Sequence, residues 1–448
     1  MKDSSIQSNS IGKEFTFWSL LRFAFPSTLM MMVNSLYVIV DGIFVARFVG
    51  SDALAAVNIV APAFALFMAI GIMLASGGSA IIARNLGEKD NVKANKNFTF
   101  ITLCGIIIAL FVCLIGFIFT EPILKALGAN EILMPYCRDY MIIILCFAPT
   151  FVVQLIFQTI FITNGTPGIG MVLTILAGVV NMVFDYIFIV PCNMGIAGAA
   201  LATGLGTLIP SIYGLFYFFS SRGNLKFIKT DLNWRVLGYS CLNGSSEMIS
   251  NLAYGLITFL YNISMMRLIG EDGVAAITII QYAEFLMSSL FFGFVMGVAP
   301  VFSFNYGSQN RAQTKRIFRI CLITITVTSL SIFGIAEIFG KYVVGIFAPQ
   351  GTYVYNLAAN GFAIFSFGFI LMGANIFASA LFTALSNGKL SAIISFLRAC
   401  VFISGSIIIL PFILDVNGIW LAVPIGEALT FGVSLFLILK KRKVYGYL

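Results

Sequence analysis

The stretch "RFVGSDALAAVNI" (residues 47 to 59) returns as "RLIGEDGVAAITI" (residues 267 to 279), 220 positions later and without a gap. The register continues beyond this stretch, since the same offset pairs Gly77 with Gly297. Further pairs are Asn85 with Asn305, Gly87 with Gly307 and Phe98 with Phe318. Agreement over this length indicates that the chain contains two copies of one structural plan.

The composition places both copies in a membrane. Of the 448 residues, 60% are hydrophobic and 10% are charged, and the mean hydropathy is +1.00. A soluble domain has about 45–50% apolar and about 25% charged residues. Apolar runs long enough to cross a hydrocarbon core of about 30 Å recur along the whole chain. We predict an all-α membrane protein with twelve transmembrane helices in two pseudo-symmetric six-helix lobes.

Twelve apolar runs define the predicted helices. Their approximate limits are 16–44, 54–82, 97–119, 135–163, 168–190, 195–219, 236–268, 274–303, 317–339, 355–386, 390–413 and 417–439. Several runs are longer than a perpendicular helix needs, so tilted or kinked helices are expected. Prolines inside the runs mark candidate kink sites, which are Pro26, Pro62, Pro149 and Pro300.

A polar segment, "SSRGNLKFIKTDLNW" (220 to 234), divides the runs six and six. It predicts an N-terminal lobe at 1–219, a cytoplasmic linker at 220–235 and a C-terminal lobe at 236–448. Lys and Arg are concentrated on the side of the linker and of both termini, which the positive-inside rule assigns to the cytoplasm. The net charge of +8 therefore reports topology in the cell inner (plasma) membrane and implies no nucleic-acid partner. The polar residues 1–14 predict that no cleaved signal peptide is present.

Charged side chains inside the apolar runs are the functional candidates. A charge near the bilayer centre costs about 2.5–3.5 kcal/mol on insertion scales, so each such residue should face protein or water. The candidates are Asp41, Asp185, Glu247, Glu284, Glu427 and Arg398. The sequence contains no His, which excludes a histidine proton relay.

Polar residues of the first lobe form one candidate site. Asn181 and Asp185 are four residues apart and therefore share one face of the fifth predicted helix. The sixth predicted helix carries Thr203 among small residues that allow close packing. A similar polar stripe in the first predicted helix consists of Asn34, Tyr37 and Asp41.

This oxygen-rich pocket suits either of two small cations. Hard oxygen ligands would bind Na⁺, whereas two neighbouring carboxylates in a low dielectric would share a proton. The alternative is that the polar groups only link neighbouring helices, at about 0.6 kcal/mol each.

The acids of the second lobe do not repeat those of the first. They are Glu247, Glu284 and Glu427. Glu284 is followed by Phe285, and an anionic, aromatic environment would suit an organic cation. The three acids are therefore candidates for the substrate cavity. Helix packing explains them equally well, and Arg398 is expected to pair with one of them.

The whole chain resembles the bacterial branch of the multidrug and toxin extrusion (MATE) family of secondary transporters. The resemblance lies in the two six-helix lobes and in the segments "GSDALAAVNI" (50 to 59), "GEDGVAAITI" (270 to 279) and "GVAPVFSFNYGSQN" (297 to 310). It implies that the first helix bends at Pro26. It also implies a cation-coupling site, with Na⁺ or H⁺ bound by Asp41, Asn181, Asp185 and Thr203.

The resemblance further implies what the protein does. A family member of this kind exports bulky, often cationic and amphipathic compounds by alternating access, in exchange for H⁺ or Na⁺. The coupling ion would be its only cofactor, its partners would be small organic molecules and the lipid bilayer, and it would act as a monomer.

Other functions fit less well. A lipid-linked precursor flippase of the related superfamily is the main alternative, although the central acids argue against an anionic pyrophosphate cargo. A major facilitator is disfavoured, because the loop "ARNLGEKDNVKANKN" (83 to 97) lacks the G-x-x-x-D-R-x-G-R-R pattern. The sequence has no G-x-x-x-x-G-K-[ST] motif for ATP, and without His or a D-D-x-x-D cluster it is not expected to be an enzyme.

Overall fold

The structure is a computed structural model that describes residues 10–220 and 223–447. Within these ranges the chain folds into helices joined by short loops, and no strand occurs. Residues 1–9, 221, 222 and 448, which belong to the predicted lobes and linker, lie outside the described part. The predicted all-α membrane fold is confirmed.

The described part of the first half contains seven α-helices, and six of them are long and apolar enough to span a bilayer. Only α4, a short helix between α3 and α5, is not a candidate span. The helices are α1 (Phe17–Phe44), α2 (Ser51–Gly87), α3 (Asn91–Ile118), α4 (Thr120–Ala126), α5 (Met134–Thr163), α6 (Pro167–Ile189) and α7 (Gly195–Phe219).

The second half supplies the other spans. Its helices are α8 (Trp234–Leu268), α9 (Glu271–Gly307), α10 (Arg311–Phe347), α11 (Tyr353–Ser366), α12 (Phe369–Ala384), α13 (Gly388–Phe396), α14 (Ser404–Ile409) and α15 (Pro411–Tyr445). A π-helical segment, Leu397–Ile403, joins α13 to α14 in one span, and α11 and α12 form one span bent by 53°. The less apolar α8 occupies the position of the seventh predicted helix.

The 220-residue offset of the sequence recurs in the helix boundaries. Both α2 and α9 are 37 residues long, and they begin at Ser51 and Glu271. The backbone of α15 breaks at Asp415, where φ is 47°, and the same offset leads from Asp415 back to Gly195 at the start of α7. The two lobes therefore follow one plan down to individual helix ends.

The four prolines predicted as kink sites lie inside uninterrupted helices. The helices α1, α2, α5 and α9 each continue through an internal proline, whereas the chain bends between α11 and α12 and at Asp415. The internal prolines are Pro26, Pro62, Pro149 and Pro300. Bending at Pro26 thus stays a prediction.

The two lobes meet on the membrane side that carries the linker and both chain ends, called here the terminal side. A Cβ on Gly77 of α2 would overlap with the backbone of Ser240 and Gly244 in α8. At the repeat-related position, a Cβ on Gly297 of α9 would come within 2.9 Å of the Cα of Ala24 in α1. Glycine is needed at both contacts because only its backbone can approach a neighbouring helix so closely.

A second pair of contacts joins the two lobes nearer the ends of α2 and α9. A Cβ on Gly87 would overlap with the carbonyl of Phe304, and a Cβ on Gly307 would overlap with the carbonyl of Arg84. The two contacts are equivalent, because the 220-residue offset relates Gly87 to Gly307 and Arg84 to Phe304. The Arg84 guanidinium lies 5.3 Å from the ring centroid of Tyr306, in cation–π geometry. We call the contacts of the four glycines, two in α2 and two in α9, the terminal seam.

The segment between the lobes is fixed to the first lobe. The Leu225 N–H donates to Asn164 Oδ1 at 3.0 Å, and the Lys226 N–H donates to Asn95 Oδ1 at 2.7 Å. The side-chain amides thus satisfy the backbone of a segment that has no helix of its own. The predicted boundaries of the lobes and linker stay a prediction.

The terminal seam predicts different effects for two Gly→Ala substitutions. Gly77→Ala should lower the free energy of unfolding by about 1–3 kcal/mol, because the added methyl overlaps with α8. Gly334→Ala in α10, where no atom lies within 4 Å of the new Cβ, should be neutral or stabilise by up to about 1 kcal/mol. Thermal unfolding of the purified proteins measures both, and equal effects would contradict the seam.

Candidate functional site

Three helices of the first lobe bring its candidate residues together. A Cβ on Gly206 of α7 would lie 3.0 Å from the carbonyl oxygen of Ala177 and 3.3 Å from the Cβ of Asn181, both in α6. A Cβ on Gly178 of α6 would lie 3.7 Å from the Cβ of Tyr37 in α1. Small residues therefore allow both α1 and α7 to pack closely against α6.

The carboxyl groups of Asp41 and Asp185 face each other across the contact between α1 and α6, within hydrogen-bonding reach. The Asp185 side chain is fully buried. Beside them, Asn181 Nδ2 donates to Thr203 Oγ1 at 3.4 Å, and that hydroxyl donates to the carbonyl of Ala199 at 3.0 Å. The structure thus brings together the four residues that the resemblance assigned to the coupling site.

The oxygens at this point lack donors. Asp41 Oδ1, Asn181 Oδ1 and both carboxylate oxygens of Asp185 are buried, and none accepts a hydrogen bond from a residue that the structure describes. A buried carboxylate without a partner costs several kcal/mol, and two ionised carboxylates repel each other. A cation between them would remove both penalties, so these residues could hold H⁺ or an ion with hard oxygen ligands such as Na⁺.

Two tyrosines flank the carboxylates. Tyr37 of α1 and Tyr140 of α5 lie close enough to interact electrostatically with Asp41. The sequence analysis missed Tyr140, because an uncharged aromatic residue in an apolar helix gives no signal of its own. Asn34 lies two turns before Asp41 on α1, and within the described ranges its side chain forms no hydrogen bond with the other site residues.

In the second lobe, Glu247 lies apart from the other two acids. It stands in the half of α8 nearest the terminal seam. Its carboxylate accepts from Ser246 Oγ and, at 3.4 Å, from Thr383 Oγ1 of α12. Glu247 is therefore satisfied by hydroxyl groups in a position separate from the remaining acids.

Glu427 of α15 is paired with Arg398. The Arg398 Nη2 and Nε atoms donate to Glu427 Oε1 at 2.6 Å and 2.8 Å, and Asn375 Nδ2 of α12 donates to Glu427 Oε2 at 2.7 Å. Glu284 of α9 lies near both charges without a direct bond to either. Two acids and one base therefore share one region of the second lobe, and sequence reasoning missed Asn375 as their amide partner.

Comparison with known proteins identifies the family of this chain. The model of the MatE family matches residues 26–187 and 248–408, one segment in each lobe and close to the register of the internal repeat. The chain belongs to the MatE family. The matched segments include Asp41, Asn181 and Asp185, whereas Thr203 and Glu427 lie outside them.

Relatives of this MatE protein span nearly its whole length. It is 25% identical over 427 residues to the multidrug export protein MepA of Staphylococcus saprophyticus, covering 91% of this chain and 89% of the relative. Its fold is similar to a solved MATE in complex with MaL6, with a TM-score of 0.91, 21% identity and coverage of 95% of this chain and 96% of that chain. An outward-facing multidrug resistance MATE family transporter of the MOP superfamily matches with a TM-score of 0.90, 22% identity and the same coverage.

The facing carboxylates predict a pH-dependent effect of Asp185→Asn. At pH 9 without Na⁺, the new amide can donate to Asp41 and removes one charge, so the variant should unfold at a higher temperature than the wild type. The difference should shrink towards pH 5, where protonation supplies the missing donor in the wild type. Melting curves at both pH values test this, with the exposed Asp139→Asn as control. A shift of equal size at both pH values would contradict the pairing.

Proposed function

We propose that this MatE protein is a secondary multidrug exporter and not an enzyme. It would move organic, often cationic and amphipathic compounds out of the cell in exchange for an inward cation, H⁺ or Na⁺. The observation that carries the proposal is the pair Asp41 and Asp185, whose buried oxygens have no donor among the described residues. A charged pair left unsatisfied inside a membrane is costly unless an ion binds there during function.

Helix α1 would transmit ion binding to the terminal seam. Its far half carries Asp41 and packs through Tyr37 on Gly178 of α6, whereas its near half packs through Ala24 on Gly297 of α9. Neutralising the carboxylate pair would change the packing of α1 against α6. Because the same helix α1 also packs against α9, its movement would alter the contact between the lobes. The ion must bind the two states with different affinity for this to work.

The charge distribution predicts on which side of the membrane the terminal seam lies. Basic residues are concentrated in the loops and tails of the terminal side, which would place both termini in the cytoplasm of a cell bounded by its plasma membrane. The terminal seam would then be the closed inner gate, and the conformation would be outward-facing. Release of cargo to the outside is the step expected from this state.

The membrane potential supplies enough energy for the exchange when the exported compound is uncharged. Each elementary charge that moves inward down about 100 mV contributes about 2.3 kcal/mol. One inward cation per exported molecule would therefore sustain a useful concentration gradient of an uncharged compound. Export of a monovalent cation for one H⁺ would be electroneutral and would draw on the pH gradient alone.

Transport in liposomes tests the proposal. Vesicles containing the protein and a fluorescent organic cation are given either a pH gradient or a Na⁺ gradient, and the movement of the dye is recorded. The wild type should respond to one of the two gradients, and Asp41→Asn should lose at least about 90% of that response, as expected when a residue of the coupling site is removed. Asp139→Asn, which replaces an exposed carboxylate on α5, should respond like the wild type.

Two results would refute the exchange mechanism. Dye movement that is indifferent to Asp41→Asn would reduce the carboxylates to links between helices. No dye movement under either gradient would favour a lipid-linked cargo instead.

A further inference from the structure

We infer that Glu427 and Asn375 hold Arg398 in a fixed ion pair, and that this leaves Glu284 as the free carboxylate of a subsite for one monovalent aromatic cation. Arg398, Glu427 and Asn375 are then positioning residues that set the charge of the subsite. The inference rests on the proposed function, because it names the cargo that the second lobe would recognise.

Glu427 is fully committed to its partners. Its side chain is 0% exposed, one carboxylate oxygen accepts two bonds from Arg398, and the other accepts from Asn375. A buried carboxylate of this kind is stable only while each oxygen keeps its donors. Glu427 therefore offers nothing to an incoming cation.

Arg398 is held at the edge of the same region. It lies in the π-helical segment Leu397–Ile403, whose wider turn is a frequent feature of functional sites. Its side chain is 15% exposed, and it interacts electrostatically with Glu284 as well as with Glu427. With both carboxylates ionised, this region has a net charge of −1, and the direct bonds assign the guanidinium to Glu427.

Glu284 keeps the unbalanced charge. It is partly exposed, and within the described ranges it forms no ion pair and accepts no hydrogen bond. A carboxylate in this state attracts one positive charge, which distinguishes it from the satisfied Glu427 and Glu247.

Aromatic side chains near Glu284 favour an aromatic cation. Tyr254 and Tyr261 of α8 lie within electrostatic reach of its carboxylate. The rings of Tyr254 and Phe285 are 6.2 Å apart, and 43% of Tyr254 is exposed. A delocalised organic cation would gain from the carboxylate and from the ring faces together. A small hydrated ion would gain little from the rings.

The arrangement makes Glu427 important for a cation that it does not touch. When Glu427 is neutralised, Glu284 becomes the carboxylate that remains to balance Arg398 in this region. The guanidinium of Arg398 would then neutralise Glu284, the carboxylate that the cationic cargo needs. When Arg398 and Glu427 are neutralised together, Glu284 stays free.

Equilibrium binding of ethidium, a fluorescent monovalent aromatic cation, tests the inference on the purified full-length protein. E284Q and E427Q should each weaken binding at least about tenfold, equivalent to about 1.4 kcal/mol. E284Q/E427Q leaves the guanidinium without a carboxylate in this region and should bind more weakly than E284Q alone. R398Q/E427Q should bind within about threefold of the wild type, a rescue that damage to packing would not produce.

The outcomes separate this inference from the proposed function. E427Q that binds ethidium like the wild type, or R398Q/E427Q that binds as weakly as E284Q, overturns the positioning role while leaving cation export intact. The second comparison holds even if E427Q fails to fold, because the double variant leaves no unpaired guanidinium. A wild type that binds no ethidium overturns the inference and the cationic cargo together, while Na⁺- or H⁺-dependent stabilisation would still report the first-lobe site.

Discussion

A charge surrounded by hydrocarbon must meet a partner inside the protein, and this constraint organises the membrane interior of the molecule. The protein satisfies two of the acids in its helices by itself, since Glu427 faces a guanidinium and an amide and Glu247 faces hydroxyl groups. It does not satisfy Asp41 Oδ1 or either carboxylate oxygen of Asp185, which are buried and lack donors among the described residues. The same physical rule therefore separates acids that maintain the structure from acids that are available to an ion or a cargo.

The fold was predictable because hydropathy and internal repetition do not depend on tertiary detail. Helical periodicity also predicted that Asn181 and Asp185 share a face, and the structure brings Asp41 and Thr203 to that face. Other features were beyond the sequence. The sequence predicted that Arg398 pairs with one of the acids, but not that this acid is Glu427, because Arg398 lies in a π-helical segment that departs from the regular 3.6-residue period. Tyr140 and Asn375 are uncharged, so the sequence alone does not show that they lie beside Asp41 and Glu427, respectively.

The two lobes share a backbone plan but differ in their chemistry. At the 220-residue offset, Tyr261 stands where the first lobe has Asp41, and Gly405 stands where it has Asp185. Tyr261 is fully buried, and with Tyr261 and Gly405 at these positions the second lobe has no facing pair of acids at the equivalent place. Its charges lie instead around Glu284. Duplication supplied a backbone plan that both lobes share, and substitution within it left a candidate ion site in one lobe and a candidate cargo site in the other.

The reciprocal contacts of the terminal seam have a consequence for the origin of the chain. Gly87 approaches Phe304 and Gly307 approaches Arg84, and the internal offset converts each contact into the other. An interface in which the same patch meets itself is the isologous interface of a two-fold symmetric homodimer. A single six-helix ancestor with these glycines would have formed the complete seam by pairing with a second copy of itself. Gene fusion then needed only a connecting segment, and the one present here is anchored on the first lobe.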